Sequence, residues 1–359
     1  GESAGQEFIS VDMMKQAAEE RMAQLERVSS RYLDEELKEE FLAPALSVGD
    51  EYFYRFRVGL ISPNHRREGE LLIGKDHAMF VDSAALLQSS GGGDAWREAG
   101  PAPAWTRQAV VQATWHYGDV KELHKRRYLL QNEGMEIFLT SGKTSLLAFA
   151  NQRERDFVYE KILSQDLPNR IDYGKEVTGN LLRLSITDKW ARGQVSNFEY
   201  LMHLNTLAGR TFNDLTQYPV FPFLLADYDS PTLRLEEAAT FRDLARPMGA
   251  QDAGRFAKFL EKHRALVEMG ETPYHYGSHY SNMGSVLHFL VRLQPFTDYF
   301  IEFQGGRFDV PDRSFHSVGQ SWRLSSSASA SDVKELIPSF FFLPDFLRND
   351  NHFDMGVKQ

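Results

Sequence analysis

The sequence predicts an α+β chain in three parts. An N-terminal amphipathic helix comes first, then an antiparallel β-barrel with a C-terminal helix, then a mainly α-helical domain crossed by extended core segments. Three observations carry that prediction. Apolar residues recur at three-and-four spacing from Val11 to about Phe41, the period drops to two from Tyr52, and helical spacing returns past the middle of the chain around one proline-bearing apolar run. The corresponding divisions are a helical segment at 1–50, a strand-rich domain at 51–167, a linker at 168–180 and a helical domain at 181–359.

In the first part, Val11, Met14, Ala18, Leu25, Val28 and Tyr32 share one helical face and the opposite face is acidic. Such a helix docks on the following domain or pairs as a short coiled coil with another chain. Ala43-Pro-Ala-Leu-Ser-Val-Gly-Asp50 ends it. Tyr52, Tyr54, Phe56, Val58 and Leu60 then alternate with Phe53, Arg55, Arg57 and Gly59, as a half-buried strand requires. Further strands are expected from Glu70 to Ile73, Ala78 to Asp82, Met135 to Thr140 and Ser145 to Phe149, the last two flanking the turn Ser141-Gly-Lys143. The Gly- and Pro-rich stretch from Ser89 to Pro103 reads as a mobile, poorly ordered loop. From Asn151 to Leu163, Phe157, Val158, Ile162 and Leu163 fall on one side of a closing helix.

The helical part opens with Ser196-Asn-Phe-Glu199, a capping box, and its first helix should stop at Gly209. Helices are also expected from Asp252 to Glu268, with Phe256, Phe259, Leu260, Leu266 and Val267 as the apolar stripe, and from Ser281 to Leu293, closed by Pro295. The run Tyr218-Pro-Val-Phe-Pro-Phe-Leu-Leu225 is the exception. Two prolines forbid a regular helix, yet the run is almost wholly apolar and should pass extended through the interior. Buried irregular backbone needs side-chain partners, and Asn205, Thr206, Arg210, Asn213 and Asp214 lie near enough to supply them. The sequence contains no internal repeat.

A 359-residue chain with a net charge of −10 lacks the basic field of a general nucleic-acid binder. It contains no cysteine, which removes disulfides, thiol catalysis and cysteine-based metal sites, and it has no Asn-x-Ser/Thr acceptor; both fit a cytoplasmic setting. No apolar run approaches the roughly 20 residues that cross a bilayer, so membrane contact would be peripheral. Both ends look cut, as in a segment of a longer protein.

Few residues invite catalysis. His275 and His279 have a spacing suited to zinc, but Gly277 intervenes and no glutamate follows His275. Asp309, Asp312 and His316 form an array suited to a divalent ion and phosphoester hydrolysis, while Arg307 and Arg313 beside them suggest ion pairs. Gly305-Gly306 lacks the Lys-Ser/Thr sequel of a phosphate loop, and no serine sits in Gly-x-Ser-x-Gly. No cofactor, metal or catalytic residue is therefore assigned. His65, Arg66 and Arg67 are expected in the turn after the first strand, and Lys121, His124, Lys125, Arg126 and Arg127 form a second basic cluster. Arg66, Arg67, Lys125, Arg126 and Arg127 are the candidate membrane-facing patch, at about 1 kcal/mol per residue on anionic lipid. The alternative is a solvated basic face.

Six strings occur in order over the second half: Asn197-Phe-Glu-Tyr-Leu201, the run from Asn205 to Phe223, Phe241-Arg-Asp-Leu244, His275-Tyr-Gly-Ser-His-Tyr-Ser281, the run from Phe308 to Ser317, and Asp332-Val-Lys-Glu-Leu-Ile-Pro338. Together they resemble the BEACH domain. The preceding barrel resembles the pleckstrin-homology-like (PH-like) domain that precedes BEACH domains. Pro273 to Asn282, Leu287 to Arg292 and Ser321 to Ser326 look most like the lysosomal-trafficking-regulator branch. The resemblance implies a non-enzymatic scaffold of vesicle and lysosome trafficking. It would bind trafficking proteins through a groove between the two domains and control organelle size, fission or fusion, peripherally on endosomal or lysosomal membranes. It also implies that Asn197, Tyr200, Asn205, Arg210, Asn213, Tyr218, Tyr276, His279 and Tyr280 shape the BEACH core and groove, with Tyr276, His279 and Tyr280 bonding to the extended run. BEACH domains continue past the position matching Gln359 and usually carry WD40 repeats, so the chain is expected to be C-terminally incomplete. A metal-dependent phosphoesterase and a lipid-targeting module remain the alternatives.

Overall fold

The computed structural model describes residues 52–63, 65–82, 111–171 and 186–358. The expected N-terminal helix, the loop at 89–103 and much of the linker lie outside the described residues. The chain divides into two compact units, one comprising residues 1–61 and 66–172 and the other residues 62–65 and 173–359.

The first unit is a seven-stranded sheet. Its strands are β1 (Tyr52–Ser62), β2 (His65–Gly74), β3 (His77–Asp82), β4 (Val111–His116), β5 (Val120–Tyr128), β6 (Gln131–Leu139) and β7 (Thr144–Ala148), in the order β4-β3-β2-β1-β7-β6-β5. Neighbours such as β1 and β7, β6 and β7, and β5 and β6 run antiparallel. Period-two chemistry explains β1, whose Phe56 and Val58 enter the core while Arg57 stays exposed. Helix α1 (Gln152–Leu163) is capped by Asn151, whose side chain accepts the Glu154 amide at 2.9 Å. It buries Phe157, Val158 and Ile162 against Phe56, Trp115, Tyr117 and Met135. Arg155 of α1 is buried and donates to the carbonyls of Gly134 at 3.0 Å and Arg126 at 3.3 Å, tying the helix to β6 and β5.

The periodicity did not single out β4 and β5. In β5, Glu122 and Arg126 occupy buried positions and the register shifts at both ends, so the apolar alternation that marks a strand is absent.

The second unit is mainly helical: a short helical stretch at 186–191, α2 (Asn197–Leu207), α3 (Ala253–Glu268), α4 (Met283–Phe289), α5 (Phe296–Phe303) and α6 (Val318–Arg323), joined by 3-10 turns. The Ser196 and Glu199 side chains make the reciprocal bonds of a capping box, and Gly209 follows α2 at φ +81°. Two expectations need correction. In α3 the buried residues are Phe259 and Arg255, whereas Phe256 and Val267 are exposed. Arg255 takes an inward position because its guanidinium caps the carbonyls of Ser325 and Asp332. The helix expected from Ser281 to Leu293 is only Met283–Phe289, because Asn282 is its N-cap and accepts the Ser285 amide at 2.9 Å. The core is rich in edge-on aromatic pairs, with Phe340 at 5.0 Å from Phe289 and 4.9 Å from Phe346.

Candidate functional site

The centre of the helical unit is the proline-bearing segment Tyr218–Leu225, in which Tyr218, Phe221 and Phe223 are buried. Its peptide groups find partners one at a time. Asn205 on α2 accepts the Val220 N–H at 2.8 Å and donates to the Val220 carbonyl at 2.9 Å and to its own helix at Leu201. Arg210 donates to the Tyr218 carbonyl at 2.8 Å, and burial lowers its guanidinium from the ordinary value while the Tyr280 phenol opposes that shift. Phe221 bridges Leu336, its N–H reaching the Leu336 carbonyl at 2.9 Å. The Phe223 N–H donates to the Glu335 carboxylate at 3.0 Å, and Arg242 binds the same oxygen at 2.6 Å. Asp214 caps the turn that feeds the segment, taking the Thr216 amide at 2.8 Å. A buried, irregular strip of chain is thereby held almost as firmly as a ladder strand.

Asn205, Arg210 and Tyr218 thus meet on this segment. Asn197 and Tyr200 do something else: Asn197 accepts the Trp190 indole N–H at 2.7 Å, and Tyr200 stacks on Trp190 at 4.6 Å and bonds Thr187 at 3.0 Å. They pin the 186–191 stretch to α2. Asn213 donates to the Thr211 hydroxyl from its backbone N–H at 3.1 Å and from its side-chain amide at 3.3 Å. Tyr276 and Tyr280 meet the segment by packing: with Val220, Pro222, Met248 and Glu335 they line an apolar recess of about 330 Å³. Tyr276 packs edge-on against Phe259 at 5.1 Å, and burial raises its phenol from the ordinary value. The Tyr280 carbonyl accepts the Glu335 N–H at 2.8 Å, whereas His279 lies exposed. Side-chain hydrogen bonds to the run come from Asn205 and Arg210, as the sequence suggests, and from Glu335, whereas Tyr276 and Tyr280, expected to bond it, line the recess beside it. Arg242 and Glu335 were missed as site residues although both stand inside the quoted strings, because charged neighbours, Asp243 and Lys334, stand beside them and nothing local marks the pair.

The basic residues of the sheet unit do not form one continuous face. Arg126 turns inward, is buried and pairs with Glu136 at 2.8 Å, which removes it from the expected membrane-facing patch. Its position on β5 puts its side chain on the opposite face from its neighbours Lys125 and Arg127, which are exposed. Arg66 and Arg67 belong to β2, which starts at His65, and not to the expected turn; Lys125 pairs with Asp156 at 2.8 Å, Arg66 with Glu68 at 2.6 Å, and Arg67 is exposed.

The candidate metal array has other commitments. Asp309 accepts from Arg313 at 2.7 Å and from the Val310 amide at 2.8 Å, while His316 meets Lys358 at 2.8 Å and the Ser314 carbonyl at 2.9 Å. His275 stacks on His263 at 4.3 Å. Among the described residues no three His, Asp or Glu side chains converge as a metal site, and no helix is long and apolar enough to cross a membrane.

Comparison with known proteins accords with this division. Residues 59–163 match the PH domain associated with Beige/BEACH, and residues 188–359 match the Beige/BEACH domain. The chain belongs to the BEACH-domain proteins, with the PH-like domain placed ahead of the BEACH domain. It is 46% identical to the human lysosomal-trafficking regulator over 83% of its own length and 8% of that protein. It is 45% identical to BEACH domain-containing protein B of Arabidopsis thaliana, over 68% of this chain and 10% of that one. The chain therefore spans about a tenth of the length of these relatives. Among solved structures, the PH domain of human oxysterol binding protein-related protein 11 aligns over 38% of this chain and 99% of its own at 7% identity, with a TM-score of 0.22.

Proposed function

We propose that this tandem is a non-enzymatic scaffold of vesicle and lysosome trafficking, recruiting trafficking proteins through a groove between its PH-like and BEACH domains. The observation that carries the reading is the use made of the signature polar residues. Asn205, Arg210, Asp214, Arg242 and Glu335 are spent on backbone groups and on one another, which supports an architectural role for these side chains. The Asp309 and Arg313 pair likewise weighs against the phosphoesterase alternative. The similarity to a lysosomal-trafficking regulator supports a role in that process. Control of organelle size, fission or fusion and a peripheral position on endosomal or lysosomal membranes belong to the same proposal.

The test is cross-linking of proteins retained from cytosol by the 359-residue chain, with the cross-linked residues mapped. Proteins of the trafficking machinery linked simultaneously to both domains are the expected result. Links confined to one domain would dispose of the groove, and retention of nothing would dispose of the scaffold reading.

A further inference from the structure

Strands β5 and β6 are joined by only two residues, Leu129 and Leu130, because Tyr128 pairs directly with Gln131. Both leucines lie in the left-handed region, at φ 47° and 68°. Two positive φ values are what a type I′ hairpin turn demands, and that turn ordinarily selects Asn-Gly. Leucine suits neither the backbone nor the solvent here, yet Leu129 is 63% and Leu130 84% exposed. Folding alone gives no reason to place two large apolar side chains at this apex.

Behind the apex the chemistry changes in layers. Tyr128 is half-buried against Ile61, Leu146 and Ala148, with the Arg66 guanidinium 5.7 Å from its ring centre. Arg127 and Lys125 follow, exposed on β5. An apolar apex, an aromatic shoulder and a cationic collar is the order of side chains met from acyl chains to headgroups in interfacial segments. A protein partner fits less well, since a convex two-residue tip supplies little of the roughly 1,200 Å² that a stable protein interface buries, whereas a bilayer needs no complementary shape. Glu68 and Asp156 partly neutralise Arg66 and Lys125, so the leucines should carry the larger share of binding.

We infer that the β5–β6 tip is a membrane anchor, with Leu129 and Leu130 entering the acyl boundary of an anionic bilayer and Lys125, Arg127 and Arg66 facing its headgroups. The inference rests on the peripheral-membrane part of the proposed function and assigns it an element.

The test is flotation of the 359-residue chain with phosphatidylcholine vesicles, with and without phosphatidylserine, for the wild type and for Leu129→Asn combined with Leu130→Gly. Asn-Gly suits the turn, so the variant should keep or raise its melting temperature while its binding to phosphatidylserine vesicles falls about tenfold or more. A Leu130→Trp variant should show a blue-shifted emission component on vesicles. Equal binding by wild type and double variant would overturn the anchor and leave membrane contact to another surface. No binding by the wild type would overturn the peripheral-membrane reading itself. If the double variant instead loses self-association or capture of a protein in the absence of lipid, the tip serves a protein contact and the anchor is again overturned.

Discussion

The Asn205 side-chain amide meets both peptide groups of Val220, accepting the N–H at 2.8 Å and donating to the carbonyl at 2.9 Å. One side chain thereby imitates a neighbouring strand for a residue flanked by Pro219 and bracketed by Pro222. Asn205→Ala should destabilise the helical unit by roughly 2–4 kcal/mol, since two buried peptide groups lose their partners. Asn205→Asp keeps the acceptor but turns a carboxylate toward the carbonyls of Leu201 and Val220, and should be at least as damaging. Urea unfolding checks both, and a loss below about 0.5 kcal/mol for either would contradict the role.

Arg242 and Glu335 stand 93 residues apart in sequence and share one buried bond with the Phe223 amide. Removing either partner, by Arg242→Met or Glu335→Gln, should cost on the order of 3–5 kcal/mol. The double variant should cost clearly less than the sum, because neither charge is then left alone. Additive losses in a double-mutant cycle would show that the two act independently.

Gly249 leaves room for Tyr276. A Cβ at Gly249 would lie 2.2 Å from the Tyr276 ring, so Gly249→Ala must displace that ring from the recess it lines with Val220 and Pro222. The expected cost is about 1–3 kcal/mol. Adding Tyr276→Ala should return part of it, and a melting temperature for Gly249→Ala equal to that of the wild type would refute the contact.

His288 gives the helical unit an acid limit. Burial lowers its imidazole to about 4, with Lys334 adding to the shift, Asp332 opposing it, and Arg292 and His316 adding further. The folded state therefore keeps His288 neutral where the unfolded chain, with an ordinary value of about 6.5, takes up a proton. Stability should fall as pH drops from about 6.5 towards 4, by roughly 2–3 kcal/mol in all from this group. His288→Leu should flatten that part of the urea-midpoint profile. A proton titration of His288 centred near 6.5 would sink the prediction.

How much could be read from the sequence depended on where the charges went. Strand β1 announced itself because polar and apolar residues alternate in step with the pleat, and β2, β3, β6 and β7 showed in part as short apolar runs separated by turn residues. β5 did not, because Glu122 and Arg126 are buried and find side-chain partners in His124 and Glu136. The same effect misassigned Arg126 to a surface patch and hid Arg255 as the inward residue of α3. For the candidate site, the need of a proline-bearing apolar run for side-chain partners pointed to Asn205 and Arg210, fifteen and eight residues from the groups they bind. Arg242 and Glu335 escaped notice because they stand 93 residues apart, a distance at which spacing carries no information.

The bond from the Phe223 amide to Glu335 spans 112 residues. During synthesis at about 5–20 residues per second, Tyr218–Leu225 leaves the ribosome some 6–20 s before that partner is made. For that interval the Phe221 and Phe223 N–H groups lack their partners, Leu336 and Glu335. The nascent helical unit thus presents a well-defined client segment to chaperones, and slowing or arresting translation between Leu225 and Leu336 should lengthen its exposure and favour aggregation.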